Sequence, residues 1–170
     1  KELFADIDFD KVPAILVAAG PSLDKNVEEL KRAKGRAFII AVDSSVRTLA
    51  KYDIMPDMTA TIDPCKPVTY LYKDKQISKL PLLISFHAFC ESADVHKGKK
   101  FYFHTEFPFI NQIWDKYEKN YLKIETAGSV ANDAFSFLRF IGFKHVIMIG
   151  QDLAYTGDKI HSRDTYEESF

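Results

Sequence analysis

Short apolar runs recur along this chain, and small, acidic or amide residues gather where they stop. Ala14 to Ala19 (AILVAA) runs into Gly-Pro-Ser, and Ala37 to Val42 (AFIIAV) into Asp-Ser-Ser. Met58 to Ile62 (MTATI) stops at Asp63, Leu80 to Phe86 at His87, and His145 to Ile149 (HVIMI) at Gly150-Gln151-Asp152. Lys100 to His104 is a further run and Tyr121 to Ile124 a weak one. Amphipathic segments lie between them: Leu23 to Ala33, Ser44 to Tyr52, Pro108 to Tyr117 and Ser129 to Ile141. Runs without in–out alternation need cover on both faces. Strands of that kind alternating with helices predict an α/β fold with a mainly parallel sheet.

The chain has 170 residues, enough for one domain with a real core. We read residues 1–170 as a single domain cut from a longer protein, because it starts at Lys1 and stops in a polar stretch at Phe170. There are 23 basic and 24 acidic residues, a net charge of −1, so no overall electrostatic footprint for nucleic acid or an anionic membrane exists. No apolar run approaches the length of a transmembrane helix. Cys65 and Cys90 are too few and too far apart for a disulfide framework, which fits a reducing, cytoplasmic setting. Most of the 14 Phe fall inside the expected strands and helices and read as core filler.

In an open parallel sheet, ligands sit beyond the carboxyl ends of the strands. The candidate residues are therefore Gly20, Pro21 and Ser22; Asp43, Ser44 and Ser45; Asp63 and Pro64; His87; and Gly150, Gln151 and Asp152. Gly20 allows close backbone approach and Ser22 can cap the helix behind it, leaving amides for a phosphate. Thr126-Ala127-Gly128-Ser129 opens the strongest helix in the same manner. Either turn also reads as an ordinary capped helix start. Neither a dinucleotide-type G-x-G-x-x-G nor a Walker-type phosphate loop is present. Three aspartates, Asp43, Asp63 and Asp152, follow separate strands, where each can accept hydrogen bonds from sugar or base, or simply form a turn. His87-Ala-Phe-Cys90, with His96 and His104, lacks the spacing of a structural zinc site, so we expect no metal. His145 opens a strand and reads as structural. Tyr155 and His161 lie in the polar stretch after Asp152, which has few apolar anchors and reads as an active-site loop or fraying end, with Gly157 as its hinge. An imidazole placed there can serve as a general base.

Four ordered blocks carry a resemblance. They are Val17-Ala-Ala-Gly-Pro-Ser-Leu-Asp24, then Ala41-Val-Asp-Ser-Ser-Val-Arg-Thr-Leu49 with Met55-Pro-Asp-Met-Thr-Ala-Thr-Ile-Asp63, then Ala127-Gly-Ser-Val-Ala131, and last the stretch Gly142 to Tyr155. Together they resemble the motility accessory factor family, whose shared domain is named for the 6-hydroxymethylpterin diphosphokinase of archaea. They are more distantly similar to bacterial sialyltransferases that use a CMP-activated sugar. The resemblance implies a Rossmann-like three-layer sandwich. It also implies transfer of a nonulosonic acid, pseudaminic or legionaminic, from a CMP-sugar to Ser/Thr of flagellin, with no obligatory cofactor.

By position, the resemblance assigns the nucleotide to Gly20, Pro21, Ser22, Asp43, Ser44, Asp63, Thr126, Gly128, Ser129 and Gly150. It assigns the chemistry to His161, Tyr155 and Asp152. Asp43 and Asp63 stand where the sialyltransferases carry asparagines, so those sites accept but do not donate. One turn departs from the pattern, with Ala18 where a glycine is common. The alternative within the same resemblance is a pterin pyrophosphokinase using ATP and Mg²⁺, and a third reading is a non-catalytic module of flagellar assembly.

Overall fold

The computed structural model describes residues 4–65, 75–88, 90–103, 112, 116, 122, 124–125, 128–155, 158–159, 161–162 and 165. Six strands form one sheet: β1 (Ala14–Val17), β2 (Phe38–Val42), β3 (Met58–Thr61), β4 (Leu82–Ser85), β5 (Lys100–Phe103) and β6 (Val146–Ile149). Their order is β5-β4-β3-β2-β1-β6, and every pairing is parallel. The fold is the expected Rossmann-like α/β arrangement. From β1 to β5 the chain steps outward in one direction, then returns so that β6 lies on the other side of β1. The direction of winding therefore reverses between β1 and β6, and a crevice opens there at the carboxyl ends of the strands.

Alternate residues of β1 and β2 feed two cores. Ala14 and Leu16 of β1, Phe38 and Ile40 of β2 and Met58 of β3 face helix α5 (Val130–Ile141), where Ala134, Phe137 and Leu138 are fully buried. Phe4, Phe38, Phe101, Phe137 and Phe143 interlock there, with ring centroids 5.3 to 6.1 Å apart. Ile15, Val17, Ile39 and Ala41 point the other way, toward α1 (Leu23–Asn26), α2 (Glu29–Ala33) and α3 (Ser45–Lys51). Every residue of β1 to β4 is buried, which is why these strands are mostly apolar, with only Thr59, Thr61 and Ser85 polar.

The structure corrects several expectations. The single helix from Leu23 to Ala33 is two short ones. Between them the bonds tighten to i→i−3 (Leu30 N–H to Val27 O, Lys31 N–H to Glu28 O), yet Leu23, Val27 and Leu30 still share the buried face. A helix α4 (Cys90–Val95) occupies a segment read only for its His and Cys residues. In the weak run Tyr121 to Ile124, the described Leu122 forms a bridge to Phe103. The helix expected over Pro108 to Tyr117 lies almost wholly outside the described residues. The last strand differs most. β6 pairs with β1 alone, and Ile147 and Met148, on opposite faces, are 49% and 48% exposed. Its apolar run matches the inner strands in sequence, but its position is the edge of the sheet.

Candidate functional site at the β1–β6 crevice

A cavity of about 430 Å³ opens at this crevice. Its floor is the pair of glycines that end β1 and β6. Ala18 N–H donates to Ile149 O (2.8 Å), and Gly20 N–H donates to Gly150 O (2.7 Å). The contact tolerates no side chain. A Cβ on Gly20 would lie 2.5 Å from Gly150 O, and one on Gly150, whose φ is +70°, would lie 2.2 Å from Ala18 O. Two glycines thus let two strand ends meet backbone to backbone.

Asp152 completes the junction. Its Oδ2 accepts from Ser22 N–H (2.7 Å), and its Oδ1 accepts from the Ser22 hydroxyl. Ser22 itself is helical and makes no side-chain cap on α1. The next amides turn inward too, Leu23 N–H to Gly20 O and Asp24 N–H to Pro21 O. Gly20, Pro21 and Ser22 form the turn at which an anion is expected. A carboxylate from the chain's own far end, 130 residues away, already sits on that helix start. Gly20 lines the cavity, but Pro21 and Ser22 form the joint behind it.

The opposite wall comes from β2 and α3. Asp43 is 7% exposed and adopts φ +40°, rare for a residue with a side chain. Its N–H donates to Ala60 O (2.9 Å), Val46 N–H donates to its carbonyl (3.2 Å), and Thr61 Oγ1 donates to its Oδ1 (2.7 Å). Ser44 lines the cavity beside it, and Ser45 Oγ lies 2.8 Å from both Val17 O and Val42 O, tying β1 to β2 beneath. Backbone strain of this sort concentrates at functional sites.

The third wall is the start of α5. Ser129 accepts at Oγ from Asn132 N–H (3.2 Å), a regular N-cap, and Val130 and Ala131 of the first turn line the cavity with it. An α-helix leaves its first-turn amides without internal acceptors, so this wall carries the positive end of a 12-residue helix. Gly128 adjoins it with φ +75°, and Thr126 lies outside the described residues.

Leu153, Ala154, Tyr155 and His161 close the outer rim. Leu153 and Tyr155 are 89% and 73% exposed, so their apolar surface is free to meet a ligand. Among the described residues of the polar stretch after Asp152, Ser162 and Thr165 are fully buried.

Thus His161, Tyr155, Asp152, Gly20, Asp43, Ser44, Ser129 and Gly150 converge on one cavity. Asp63 does not. It stands at the same sheet edge, but its Oδ1 accepts from Cys65 N–H (2.8 Å), a turn closed by its own side chain. His87 follows β4 at that edge, whereas His96 Nε2 meets Leu80 O at the amino end of the same strand. Among the described residues no group of three His, Cys, Asp or Glu is placed to hold a metal. Sequence reasoning gave no role to Leu153 and missed Thr61 as partner of Asp43, which only the β2–β3 register reveals.

The family model described as 6-hydroxymethylpterin diphosphokinase MptE-like matches residues 1–158. The chain belongs to that family. This MptE-like chain is also similar in structure to a MAf glycosyltransferase from Magnetospirillum magneticum AMB-1, with a TM-score of 0.72 and 20% identity over 86% of its length. At that identity the likeness concerns the fold, and the chain spans 23% of the neighbour's length. No curated protein shows significant similarity to it. Among the described residues no helix is long and apolar enough to cross a membrane.

Proposed function

We propose that this MptE-like domain is the nucleotide-sugar site of a cytoplasmic glycosyltransferase. It binds the CMP portion of an activated nonulosonic acid and passes the sugar to a Ser/Thr hydroxyl of flagellin. The observation that carries this reading is the convergence of His161, Tyr155 and the α5 start on one cavity at the sheet's switch point. In the reaction the bond between the sugar's anomeric carbon and the phosphate oxygen breaks, and CMP leaves with the electron pair. The acceptor oxygen bonds that carbon, and its proton passes to His161 as general base. The first turn of α5 and the Tyr155 hydroxyl stabilise the charge gathering on the phosphate. Asp43 accepts from ribose or base hydroxyl and amino groups. Asp152, with each oxygen taken up by Ser22, holds the rim rather than the substrate.

The family description favours a second reading, a pterin pyrophosphokinase using ATP and Mg²⁺. Mg²⁺ is bound through carboxylates together with substrate phosphates. Here the cavity offers Asp43 and an Asp152 already engaged by Ser22, a poor fit, and we derive no step through the metal. Calorimetric binding of CMP, CTP, ATP and GTP, with and without Mg²⁺, separates the readings. Metal-independent CMP binding is the expected result, followed by transfer from a CMP-nonulosonate to flagellin by the full-length protein. Mg²⁺-dependent ATP binding would replace this reading with the kinase, and no nucleotide binding would leave a non-catalytic module.

A further inference from the structure

The chain leaves the sheet at Gly150, is fastened at Asp152, and comes back to the same turn at Ser162. There Ser162 N–H donates to Ala19 O (2.7 Å), one residue before Gly20. Its Oγ lies 3.4 Å from Thr48 Oγ1 on α3, and Thr165 Oγ1 donates to its carbonyl (3.1 Å). Ser162, Thr48 and Thr165 all have 0% exposure. Ser162 is thus anchored by one backbone bond in a buried seat lined by hydroxyls. Burying a serine yields little apolar stabilisation, so a fully enclosed one with directed bonds acts by fixing position. The residue it fixes most directly is its neighbour His161, which lines the cavity.

We propose that Ser162 is a positioning residue: its seat between Ala19 and Thr48 sets the imidazole of His161 against the cavity. The seat explains how a polar segment with few apolar residues completes the wall of the site. It also explains why Ala19 belongs to that wall, since its carbonyl receives the returning chain. The catalytic consequence rests on the transferase reading above, whereas the seat does not.

The test uses the full-length protein with Ser162→Val, which overfills the seat, and Ser162→Ala, which fits it and keeps the backbone donor. Diethyl pyrocarbonate labelling, mapped by mass spectrometry, reads the accessibility of His161, with the exposed His145 as internal reference. We expect faster labelling of His161 in Ser162→Val, an unchanged rate at His145, and near wild-type labelling in Ser162→Ala. In transfer assays kcat should fall by about 10²-fold in Ser162→Val with the donor KM little changed, as for a misplaced catalytic group, and Ser162→Ala should restore it. Should Ser162→Val not fold, Thr165→Val removes the donor on the Ser162 carbonyl at constant shape and carries the same expectations. Wild-type labelling of His161 in the folded variants overturns the seat. Faster labelling with kcat unchanged overturns its catalytic role. CMP binding absent from the wild type, with labelling still accelerated in the variant, would sink the transferase reading and spare the seat.

Discussion

Replacing Gly20 with alanine adds one methyl group at a crowded point of the site. That Cβ would stand 2.5 Å from Gly150 O, and 3.0 Å from Asp152 Cγ. Backbone is the nearer obstacle, so no rotamer change relieves it; the ends of β1 and β6 must separate. Overpacking of this kind costs about 1–3 kcal/mol. Separation also stretches Gly20 N–H to Gly150 O, a neutral bond worth roughly 1 kcal/mol, and the Ser22–Asp152 pair, where a charged acceptor makes the loss about 1.5–3 kcal/mol. The expected destabilisation is about 2–5 kcal/mol, the sum being discounted because partial relaxation spares some bonds. Urea titration followed by circular dichroism measures it, with Gly35→Ala as the control. Gly35 has φ +78° but nothing within 4 Å of a Cβ, so its substitution carries only the left-handed backbone cost of about 1–2 kcal/mol. If Gly20→Ala proves no worse than Gly35→Ala, the close β1–β6 junction is not how this site is held together.

The pH dependence of stability should carry a signature of His96, whose pKa is lowered mainly by burial and less by Lys100, against the opposing bond to Leu80 O. The unfolded chain then takes up a proton on this residue before the folded one, so its contribution is complete above pH 6.5 and shrinks as pH falls below it; urea midpoints from pH 8 to 5 should decline less steeply in His96→Gln. Phe137→Ala, at 0% exposure amid the phenylalanine cluster, should cost about 3–5 kcal/mol, whereas Phe140→Ala, 57% exposed on the same helix, should stay within about 0.5 kcal/mol in the same denaturation assay. In the full-length protein His161→Ala should lower kcat by about 10²- to 10⁴-fold while donor affinity barely moves; undiminished turnover would place the base elsewhere.

The parallel sheet and the edge carrying the site were legible because buried parallel strands leave an unmistakable pattern, and their carboxyl ends follow from it. Gly20, Asp43 and Gly150 could be named by that rule alone. What each residue does there was not legible. Ser22 and Asp152 meet across 130 positions of chain, and nothing local in either segment announces the pairing. Asp63 looked equivalent to Asp43, but the first closes its own turn while the second is strained and bonded to Thr61. The seat of Ser162 escaped because hydropathy registers apolar anchors and is silent about hydroxyls. β6 misled for the converse reason: VIMI reads as interior wherever the sheet places it.

The exposed edge at β6 bears on how wide the cavity can be. One of its walls ends in β1, which has a strand on each side and no exposed residue among Ala14–Val17. The other ends in β6, which has a single neighbour and half-exposed faces. Strands with fewer buried contacts open at lower free energy than those in the middle of a sheet. The two walls are therefore unequal in stiffness, and the gap between them is governed by the weaker one. The bonds from Gly20 to Gly150 and from Ser22 to Asp152 act across that gap in place of the neighbour β6 lacks. They work as spacers as much as stabilisers, fixing the aperture that any ligand must fit.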